Sequence, residues 1–458
     1  MTASTLRRPI AVPLPRTWHV RGADVVAVLV GNGLFILAMW VRHGGLAELA
    51  TPAGAFVALG QVTALLGTYL ALVQLVLMAR TPWLDQALGM DRLAVAHRWI
   101  GFATIWLIGA HGVFTTLGYA MADGTSILGE AWTILTTFDF VLLGTIGFGL
   151  FVAVGITSMR MARRRLPYES WFLVHLLAYI AIALGFLHQL FVGADFMHDP
   201  LARIYWSALY VLTAGLVLAF RVAAPIRLNL RHGFRVARVV REAPGVVSIY
   251  VTGRHLDRLP VRSGQWFTWR FLDGRRPWTG HPFSISSAPN GQWLRTTVKA
   301  LGDDTRRLQR LKPGTRVLLE GPYGVLTGMR RTRRRVTLIA GGIGITPLRA
   351  LLESLPGGQG DLTLLYRARH PKHLVFKDEL ATIAKRRGMA VHYLVGRRGS
   401  PELPADPLGR TALERLVPGI REHDVYVCGP DAMMDRVIAA LRELGLPSRR
   451  IHAERFAY

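Results

Sequence analysis

The sequence contains a single cysteine, Cys428, in 458 residues, so no intrachain disulfide can form. Acidic residues are scarce, because 29 Asp and Glu stand against 55 Lys and Arg, and the formal net charge is +26. No EF-hand loop and no nucleic-acid-binding motif is present, which argues against calcium control within the chain and against a nucleic acid partner. Hydrophobic residues make up 51% of the chain. A membrane protein with arginine-rich cytoplasmic loops explains this combination.

Six segments of the first half lack Asp, Glu, Lys and Arg altogether. Each approaches the roughly 20 residues that a helix needs to cross the hydrocarbon core of a bilayer. In lipid, a helix satisfies every backbone polar group within the segment. These segments predict a six-helix transmembrane bundle embedded in membrane lipid. The predicted spans are Val25–Val41, Ala55–Ala79, Trp99–Ala120, Phe140–Met159, Ser170–Phe191 and Ile204–Phe220.

Arginines are distributed unequally between the two ends of these spans. Four precede the first span, three follow the second and four follow the fourth, whereas the opposite loops carry only Arg42 and Arg203. Short cytoplasmic loops carry the excess of Lys and Arg in membrane proteins. We therefore expect a multi-pass protein of the cell (inner) membrane with both termini in the cytoplasm.

The composition changes near Arg221, after which the chain is charged and rich in Gly and Pro. Alternating apolar runs such as Val246–Val251 are typical of strands. From Val336–Ala340 onward, strands alternate with Gly-rich loops and helices, which predicts a parallel α/β sheet. The predicted domains are a cytoplasmic N-terminal segment (1–22), the transmembrane domain (23–222), an antiparallel β-barrel (232–328) and an α/β parallel-sheet nucleotide-binding domain (333–458).

Four histidines belong to two of the spanning helices, with His97 just before the uncharged run of the third helix. Ionisable residues in membrane helices are costly and usually functional, and neutral imidazole is a good axial ligand for haem iron. Fourteen residues separate His97 from His111, and thirteen separate His175 from His188. At about 1.5 Å per residue, both spacings are roughly 20 Å along a helix. The third and fifth spans run in the same direction, so we expect His97 to face His175 near one membrane surface and His111 to face His188 near the other.

The thirteen-residue spacing does not return to the same face of a helix. At about 100° per residue it misses by roughly 140°. We therefore predict that the fifth helix is kinked, bulged or supercoiled, and Gly185 marks a place where a distortion could occur.

The segment Arg165–Trp171, followed by His175 and His188, resembles the ferric reductase-like transmembrane domain of NADPH oxidases and ferric-chelate reductases. The resemblance implies two b-type haems, with His97, His111, His175 and His188 as the metal ligands. Some oxidases carry a further histidine one turn beyond the outer ligand of the third span, near the oxygen site, and this sequence has Thr115 there.

The segment from His281 to Ser287, with the sequence HPFSISS, resembles the flavin-binding stretch of the ferredoxin reductase superfamily, in the form found in NADPH oxidases. The resemblance implies that the barrel binds FAD. It implies that Phe283 and Ser284 lie against the flavin ring, with Ser284 near the N5 atom, and that His281 replaces an arginine near the flavin phosphates.

A second stretch of the barrel, from Gly302 to Thr305, follows a predicted strand. It matches the family segment whose helix N-terminus faces the pyrophosphate, because backbone N–H groups there attract an anion. Lys299 could add positive charge. The residues implied for FAD binding are His281, Pro282, Phe283, Ser284, Lys299, Gly302 and Thr305.

The Gly-rich loop GGIGITP (341–347) follows the strand Val336–Ala340, and the triplet CGP (428–430) ends a later strand. A Gly-rich loop between a strand and a helix lets a phosphate approach the backbone closely. Together the two motifs resemble the NAD(P)H-binding domain of the same superfamily, which implies that Cys428 lies near the nicotinamide. A small buried packing residue is the alternative reading of Cys428. The residues implied for nicotinamide binding are Gly341, Gly342, Gly344, Thr346, Pro347, Cys428, Gly429 and Pro430.

Two arginines, Arg367 and Arg369, end the second strand of this domain. Arginine at that position suits the 2′-phosphate of NADPH, whereas an acidic residue suits NADH. In the family a terminal aromatic residue often covers the flavin, and we assign this role to Phe456, with Tyr458 next. The predicted catalytic residues are therefore Ser284, Cys428 and Phe456.

The resemblance implies an NAD(P)H-dependent oxidoreductase that moves electrons through FAD and two haems to an acceptor on the outer face. Oxygen, reduced to superoxide, is the first expectation for this small-molecule acceptor. A ferric chelate is the alternative, and so is an extracytoplasmic redox partner protein that docks on the outer loops.

Overall fold

The computed structural model describes residues 20–159, 165–193, 197, 199–274, 279–401 and 403–455. The chain divides into two compact units, one of residues 19–88 and 92–222 and the other formed mainly by residues 223–458. Phe456 and Tyr458, which we predict at the flavin, lie outside the described residues, as do the arginines before residue 20 and at 160–164.

The first unit is helical. Among the described residues, six helices are long and apolar enough to cross a membrane, which confirms the predicted six-helix transmembrane domain. In chain order the helices are α1 (Gly22–Arg42), α2 (Pro52–Met78), α3 (Pro82–Leu88), α4 (Met90–Asp123), α5 (Ile127–Thr137), α6 (Val141–Ser158), α7 (Tyr168–Val192) and α8 (Pro200–Val217).

Helices α3 and α5 are not among the predicted elements, because a search for long uncharged runs detects only spanning segments. The hydroxyl of Ser126 caps α5 by accepting a hydrogen bond from the N–H of Gly129 at 3.1 Å. Leu128 and Trp132 on α5 are 84% and 70% exposed. Helix α5 therefore presents apolar side chains to its surroundings, as an interfacial helix does.

The fifth spanning helix, α7, is one uninterrupted α-helix from Tyr168 to Val192. No bulge occurs at Gly185, so this form of the predicted distortion is wrong. The histidine side chains project several ångströms from the helix axis and choose among rotamers, so they can absorb an azimuthal mismatch that the backbone does not correct. A π-helical turn occurs instead at Leu218–Ala223, shortly before Pro225, whose ring nitrogen cannot donate the next helical hydrogen bond.

The second unit begins with helix α9 (Ala224–His232) and a six-stranded antiparallel sheet of order β4-β3-β6-β1-β2-β5. A bridge between Ile285, just past β4, and Thr296 in β5 joins the two edges, so the sheet closes as the predicted barrel. Its interior is filled by Phe267, Trp269 and their apolar neighbours. The strands are β1 (Arg235–Ala243), β2 (Val246–Thr252), β3 (Trp266–Leu272), β4 (His281–Ser284), β5 (Leu294–Lys299) and β6 (Arg316–Tyr323), and helix α10 (Asp303–Leu308) follows β5.

The remainder of this unit is a five-stranded parallel sheet of order β11-β10-β7-β8-β9 with helices between the strands. The predicted antiparallel barrel and parallel α/β sheet are thus both confirmed. The strands are β7 (Val336–Gly341), β8 (Leu362–Ala368), β9 (Ala390–Val395), β10 (Asp424–Cys428) and β11 (Ile451–Ala453), and the helices are α11 (Ile345–Ser354), α12 (Lys377–Arg387), α13 (Arg410–Leu416) and α14 (Asp431–Glu443).

The strand order reverses beside β7, because β8 and β9 lie on one side of it and β10 and β11 on the other. Side chains alternate across β7, with Leu338 in one apolar cluster and Ile339 in the other. In parallel α/β sheets, ligands bind outside the carboxyl ends of the strands at such a switch point. The Gly-rich loop after β7 and the CGP triplet after β10 occupy this place.

Tyr366, which is fully buried on β8, holds the Gly-rich loop. Its hydroxyl donates to the carbonyl of Gly342 at 3.1 Å and accepts the N–H of Val375 at 3.1 Å. Replacing Tyr366 by Phe leaves the buried N–H of Val375 without a partner, so we expect a stability loss of about 1–3 kcal/mol.

Thermal unfolding and amide hydrogen exchange of the peptide containing Val375, measured on the purified full chain, test this prediction. Tyr393→Phe on the neighbouring strand is the matched control, because Tyr393 is only half-buried. Equal exchange rates in the two variants would contradict the assigned role of the Tyr366 hydroxyl.

Candidate cofactor sites

The inner histidine pair joins α4 to α7. The ring centroids of His97 and His175 lie 5.9 Å apart. The indole of Trp171 stacks on His175 with a centroid distance of 5.0 Å, and its Nε1–H donates to the hydroxyl of Ser158 at 3.3 Å. The same hydroxyl lies 3.3 Å from Nδ1 of His175. Nδ1 of His97 is buried, and the imidazole lies near the backbone carbonyl of Gln74 on α2.

The outer pair repeats the arrangement further along the same helices. The ring centroids of His111 and His188 lie 6.4 Å apart. Nδ1 of His111 donates to the carbonyl of Gly60 at 3.0 Å, and Nδ1 of His188 donates to the carbonyl of Phe140 at 3.3 Å. A carbonyl oxygen can only accept, so in both rings Nδ1 carries the hydrogen and Nε2 keeps its lone pair. Both outer imidazoles are therefore in the tautomer that a metal binds through Nε2.

Both pairs fit two axial ligands of one iron. With metal–nitrogen distances of about 2 Å on each side, the centroids of two opposing imidazoles are about 6 Å apart. The observed 5.9 and 6.4 Å match that separation. No cluster of three or more potential metal-binding side chains occurs in the described ranges. A bis-imidazole site needs only two, since the porphyrin supplies the other donors.

Two glycines let neighbouring helices support the outer pair. A Cβ atom at Gly144 of α6 would lie 2.8 Å from Cγ of His188, and one at Gly60 of α2 would lie 2.4 Å from Oγ1 of Thr115. Thr115 is also 3.2 Å from Nδ1 of His111. The residue that replaces the further histidine of some oxidases thus contacts the outer ligand itself. Only glycine leaves room for these approaches.

His281 begins β4 and is buried, with its ring stacked on Phe283 at a centroid distance of 5.5 Å. Burial lowers the pKa of His281; the charge of Asp304 opposes this shift, and those of Arg307 and Arg270 add to it. The imidazole is therefore neutral near pH 7. Arg270 and Arg307, which the sequence patterns do not single out, lie near His281, and they form ion pairs with Glu320 at 3.2 Å and Asp273 at 3.1 Å. They lie on different elements and converge only in the folded barrel.

The second predicted flavin stretch has a local role in the described fold. The hydroxyl of Thr305 accepts the N–H groups of Leu301 at 2.8 Å and Gly302 at 3.0 Å. Both bonds tie the first turn of α10, a helix of six residues, to the backbone that precedes it. Lys299 ends β5, and its positive charge contributes to lowering the pKa of His373, mainly lowered by burial. Lys299 thus lies on the side of the barrel that faces the loop after β8.

The two predicted nicotinamide motifs meet at the switch point. A Cβ atom at Gly344 would lie 2.3 Å from the carbonyl oxygen of Cys428, and one at Gly429 would lie 3.0 Å from Cα of Gly341. Thr346 lies in the first turn of α11, and its hydroxyl donates to the carbonyl of Ile343 at 3.0 Å. The backbones after β7 and β10 can pack this closely because glycine occupies both.

Cys428 has no exposed surface and belongs to the apolar core of the parallel sheet. Burial raises the pKa of its thiol, and the charge of Glu454 raises it further. The thiol is therefore protonated at physiological pH and is not a nucleophile. Its packing role is plain in this structure, while its place at the carboxyl end of β10 keeps it beside the predicted nicotinamide site.

The two arginines at the end of β8 differ in their contacts. The guanidinium of Arg367 donates to the carbonyls of Leu394 at 3.0 Å and Gly396 at 2.7 Å, and also to that of Ala368. Arg367 thereby fastens β8 to the end of β9. Arg369 is exposed. Of the two predicted phosphate ligands, Arg369 is the one whose guanidinium is at the surface.

Glu454 is a site residue that the sequence patterns do not single out. It is buried just past β11, and its Oε1 accepts the indole N–H of Trp266 on β3 at 2.9 Å. A Cβ atom at Gly324 would lie 2.7 Å from the same oxygen. Glu454 therefore joins the end of the nucleotide-binding sheet to the barrel, close to Cys428.

Three family models match consecutive parts of the chain. The ferric reductase like transmembrane component matches residues 63–186, an FAD-binding domain matches residues 233–327, and an oxidoreductase NAD-binding domain matches residues 338–438. The first range contains His97, His111 and His175 and ends two residues before His188, the second contains His281, and the third contains both glycine motifs.

Curated proteins and solved structures match about half of the chain. The ferredoxin reductase component of 3-ketosteroid-9-alpha-monooxygenase from Rhodococcus rhodochrous is 30% identical, over 50% of this chain and 67% of that protein. A flavohemoprotein of Pseudomonas aeruginosa is 31% identical, over 49% of this chain and 58% of that protein. The FAD/NAD-binding domain of nitric oxide dioxygenase from Vibrio cholerae is 26% identical, with a TM-score of 0.42 over 49% of this chain and 98% of that domain.

Gly144 provides a test of the outer histidine pair. In Gly144→Ala the new methyl group would displace the ring of His188. If each pair holds one haem, we expect the variant to lose about half of its Soret absorbance per protein, because one of two iron sites loses an aligned ligand.

The measurement is the absorbance spectrum of protein purified after haem-replete expression. Gly149→Ala is the matched control on the same helix, because a Cβ atom there meets nothing within 4 Å. A full Soret band in Gly144→Ala would show that the ring of His188 is not held by this contact.

Proposed function

The chain belongs to the ferric reductase-like family of membrane oxidoreductases, and from this premise we propose that it carries electrons from cytoplasmic NAD(P)H across the membrane to an acceptor on the outer face. The membership rests on a ferric reductase-like transmembrane domain followed by FAD-binding and NAD-binding domains. The protein is thus a multi-pass membrane flavoprotein and an NAD(P)H-dependent oxidoreductase. The observation that carries the proposal is that two pairs of facing histidines join α4 to α7.

The two pairs lie at different depths of the membrane unit. Fourteen residues of α4 separate His97 from His111, which is roughly 21 Å along the helix. When bound, FAD converts hydride transfer into single-electron transfer, and haem iron carries single electrons. His97 and His175 would hold one haem and His111 and His188 the other. The four imidazoles would thereby span most of a hydrocarbon core about 30 Å thick.

The soluble residues have supporting roles in this proposal. Ser284 lies at the end of β4, within the flavin motif, and would contact the flavin ring. The paired glycine motifs would admit the nicotinamide nucleotide at the switch point, and Cys428 would line it as an uncharged thiol. Glu454 would fix the chain end, with Phe456 as the residue proposed to cover the flavin until the nicotinamide displaces it.

The arginine distribution supports an orientation with both termini in the cytoplasm of a cell (inner) membrane protein. In that orientation His97 and His175 are nearer the cytoplasmic side, and His111 and His188 are nearer the outer side. Electrons would therefore leave the protein near the outer pair.

We propose oxygen as the acceptor, each molecule taking one electron to give superoxide. A ferric chelate is the second candidate, and one observation favours it. Thr115, which stands in the place of the further histidine of some oxidases, contacts Gly60 and the outer ligand His111. The hydroxyl of Thr115 supports that ligand, and threonine supplies no additional imidazole that could contact oxygen.

A two-stage assay on the detergent-purified chain with FAD tests the proposal. In the first stage NADPH is added without oxygen, and reduction of b-type haem is followed by absorbance; we expect it to proceed, and to fail for the outer haem in His188→Ala. A preparation without haem absorbance would overturn the proposal. In the second stage, turnover with oxygen, monitored with and without superoxide dismutase, is compared with turnover with ferric citrate. Turnover with iron alone would replace oxygen by the ferric chelate.

The nucleotide preference follows from the loop after β8. Arg369 is exposed there, and Lys372, His370 and Arg369 all lie near His373. This positive surface suits the 2′-phosphate of NADPH. We expect Arg369→Gln to lower kcat/KM for NADPH by about tenfold, since a charge-assisted contact contributes about 1.5 kcal/mol, and to leave kcat/KM for NADH unchanged.

Steady-state kinetics with both nucleotides provide the measurement. Arg449→Gln, an exposed arginine elsewhere on the same domain, serves as the control. An equal loss with NADH and NADPH would mean that Arg369 does not recognise the phosphate.

A further inference from the structure

Two arginines and two glutamates form a connected network between the flavin barrel and the nucleotide-binding sheet. Arg295 on β5 is 2% exposed, and its guanidinium donates to both carboxylate oxygens of Glu379 on α12, at 2.7 and 3.0 Å. Arg349 on α11 is 3% exposed and reaches Glu379 at 2.7 Å and Glu353 at 2.5 Å. The carboxylate of Glu379 is thus shared by arginines from both domains.

The network is also bonded to the flavin motif. Arg295 donates to the hydroxyl of Ser286 at 3.1 Å and to its carbonyl at 2.7 Å. Glu353 accepts the N–H of Ala288 at 2.7 Å. These contacts hold the last residues of the HPFSISS stretch and the residue that follows it.

At its other end the network holds α11. This helix starts at Ile345, directly after the glycines of the loop GGIGITP, and Arg349 lies in its second turn. Hydrogen bonds and ion pairs therefore connect the flavin motif, through Glu379 and Glu353, to the helix that follows the nicotinamide loop.

Arg295, Arg349 and Glu353 are buried, whereas the side chain of Glu379 is 35% exposed. Buried charges such as those of the two arginines are a poor means of gaining stability. Replacing a buried ion pair by well-packed apolar residues is often neutral or stabilising, so the retained charges point to a need for a defined geometry. Burial would raise the pKa of Glu379, yet the bonds and charges of Arg295 and Arg349 lower it below its usual value. The carboxylate is therefore ionised at neutral pH and keeps both arginines in place. Their bidentate bonds fix orientation as well as distance.

We propose that Arg295, Arg349, Glu353 and Glu379 form a positioning network that fixes the nicotinamide loop relative to the flavin motif for hydride transfer. This inference rests on the proposed function. None of the four residues is a catalytic residue, because each acts through Ser286, Ala288 or α11. The hydride donor and acceptor must meet within a few tenths of an ångström of the productive distance, and a misplacement of about 1 Å can slow a reaction roughly a hundredfold.

Glu379→Gln tests the proposal, because it removes the shared charge and keeps the shape of the side chain. In anaerobic stopped-flow experiments with FAD-loaded full chain, we expect flavin reduction at saturating NADPH to slow at least about tenfold, with the NADPH concentration for half-saturation little changed. Arg349→Lys keeps the charge but loses the fork of donors, so a smaller loss in the same direction is expected. Glu414→Gln is the matched control, since it breaks an exposed ion pair with Arg421 on the same domain.

A second readout does not depend on turnover. In FAD-free full chain, hydrogen exchange at 286–288 and in the first turns of α11 should be faster in Glu379→Gln than in Glu414→Gln. Flavin reduction at the wild-type rate in both Glu379→Gln and Arg349→Lys would overturn the proposal, even if the unfolding temperature falls. If the wild-type flavin is not reduced by NADPH at all, the proposed function itself fails, and the two failures are thus distinguished. If Glu379→Gln does not fold, Arg349→Lys decides the matter.

Discussion

The hydrogen bond from an imidazole Nδ1 to a backbone carbonyl is the interaction on which the rest of the membrane unit depends. A neutral imidazole offers Nε2 to a metal only when Nδ1 carries the hydrogen, and a carbonyl partner enforces that tautomer. The carbonyls of Gly60 and Phe140 do this for His111 and His188. In a spanning helix most carbonyls are occupied by the helix itself, so the approach of a second helix at a glycine matters. The absence of a side chain at Gly60 lets α2 and α4 come close enough for the bond.

The inner and outer pairs reach similar centroid separations by different means. The outer rings bond to the carbonyls of Gly60 and Phe140, and His97 lies near the carbonyl of Gln74, whereas His175 lies beside the hydroxyl of Ser158 and stacks on Trp171. A carbonyl acceptor makes the ligand nitrogen more electron-rich than a hydroxyl does, which changes the electronic properties of a bound metal. The two histidine pairs therefore differ mainly in the partner of one imidazole, that of His175.

The architecture could be predicted from the sequence because its main signals are the composition of long segments and short sequence motifs. Uncharged runs of spanning length, strand alternation and two glycine motifs are each visible in short windows, and all correspond to described elements. The residues that were missed, Arg270, Arg307 and Glu454, become neighbours of the site only through strand pairing and domain packing. The predicted bulge near Gly185 is absent from the helix, and the prediction is wrong for a different reason. A helical-wheel argument treats the backbone as the only adjustable part, whereas side-chain rotamers can also absorb an azimuthal mismatch.

The two arginines at the end of β8 show why position alone does not assign a phosphate ligand. The sequence rule treats Arg367 and Arg369 alike, since both end the second strand of a nucleotide-binding domain. A guanidinium has five N–H donors in a fixed plane, and Arg367 directs its two terminal nitrogens at backbone carbonyls. A phosphate would have to displace those bonds, and the carbonyls would then lose their partners. Arg369 is exposed, so a phosphate bound there would replace water rather than backbone carbonyls. Recognition at this edge of the sheet is therefore decided by which donors the fold has already used.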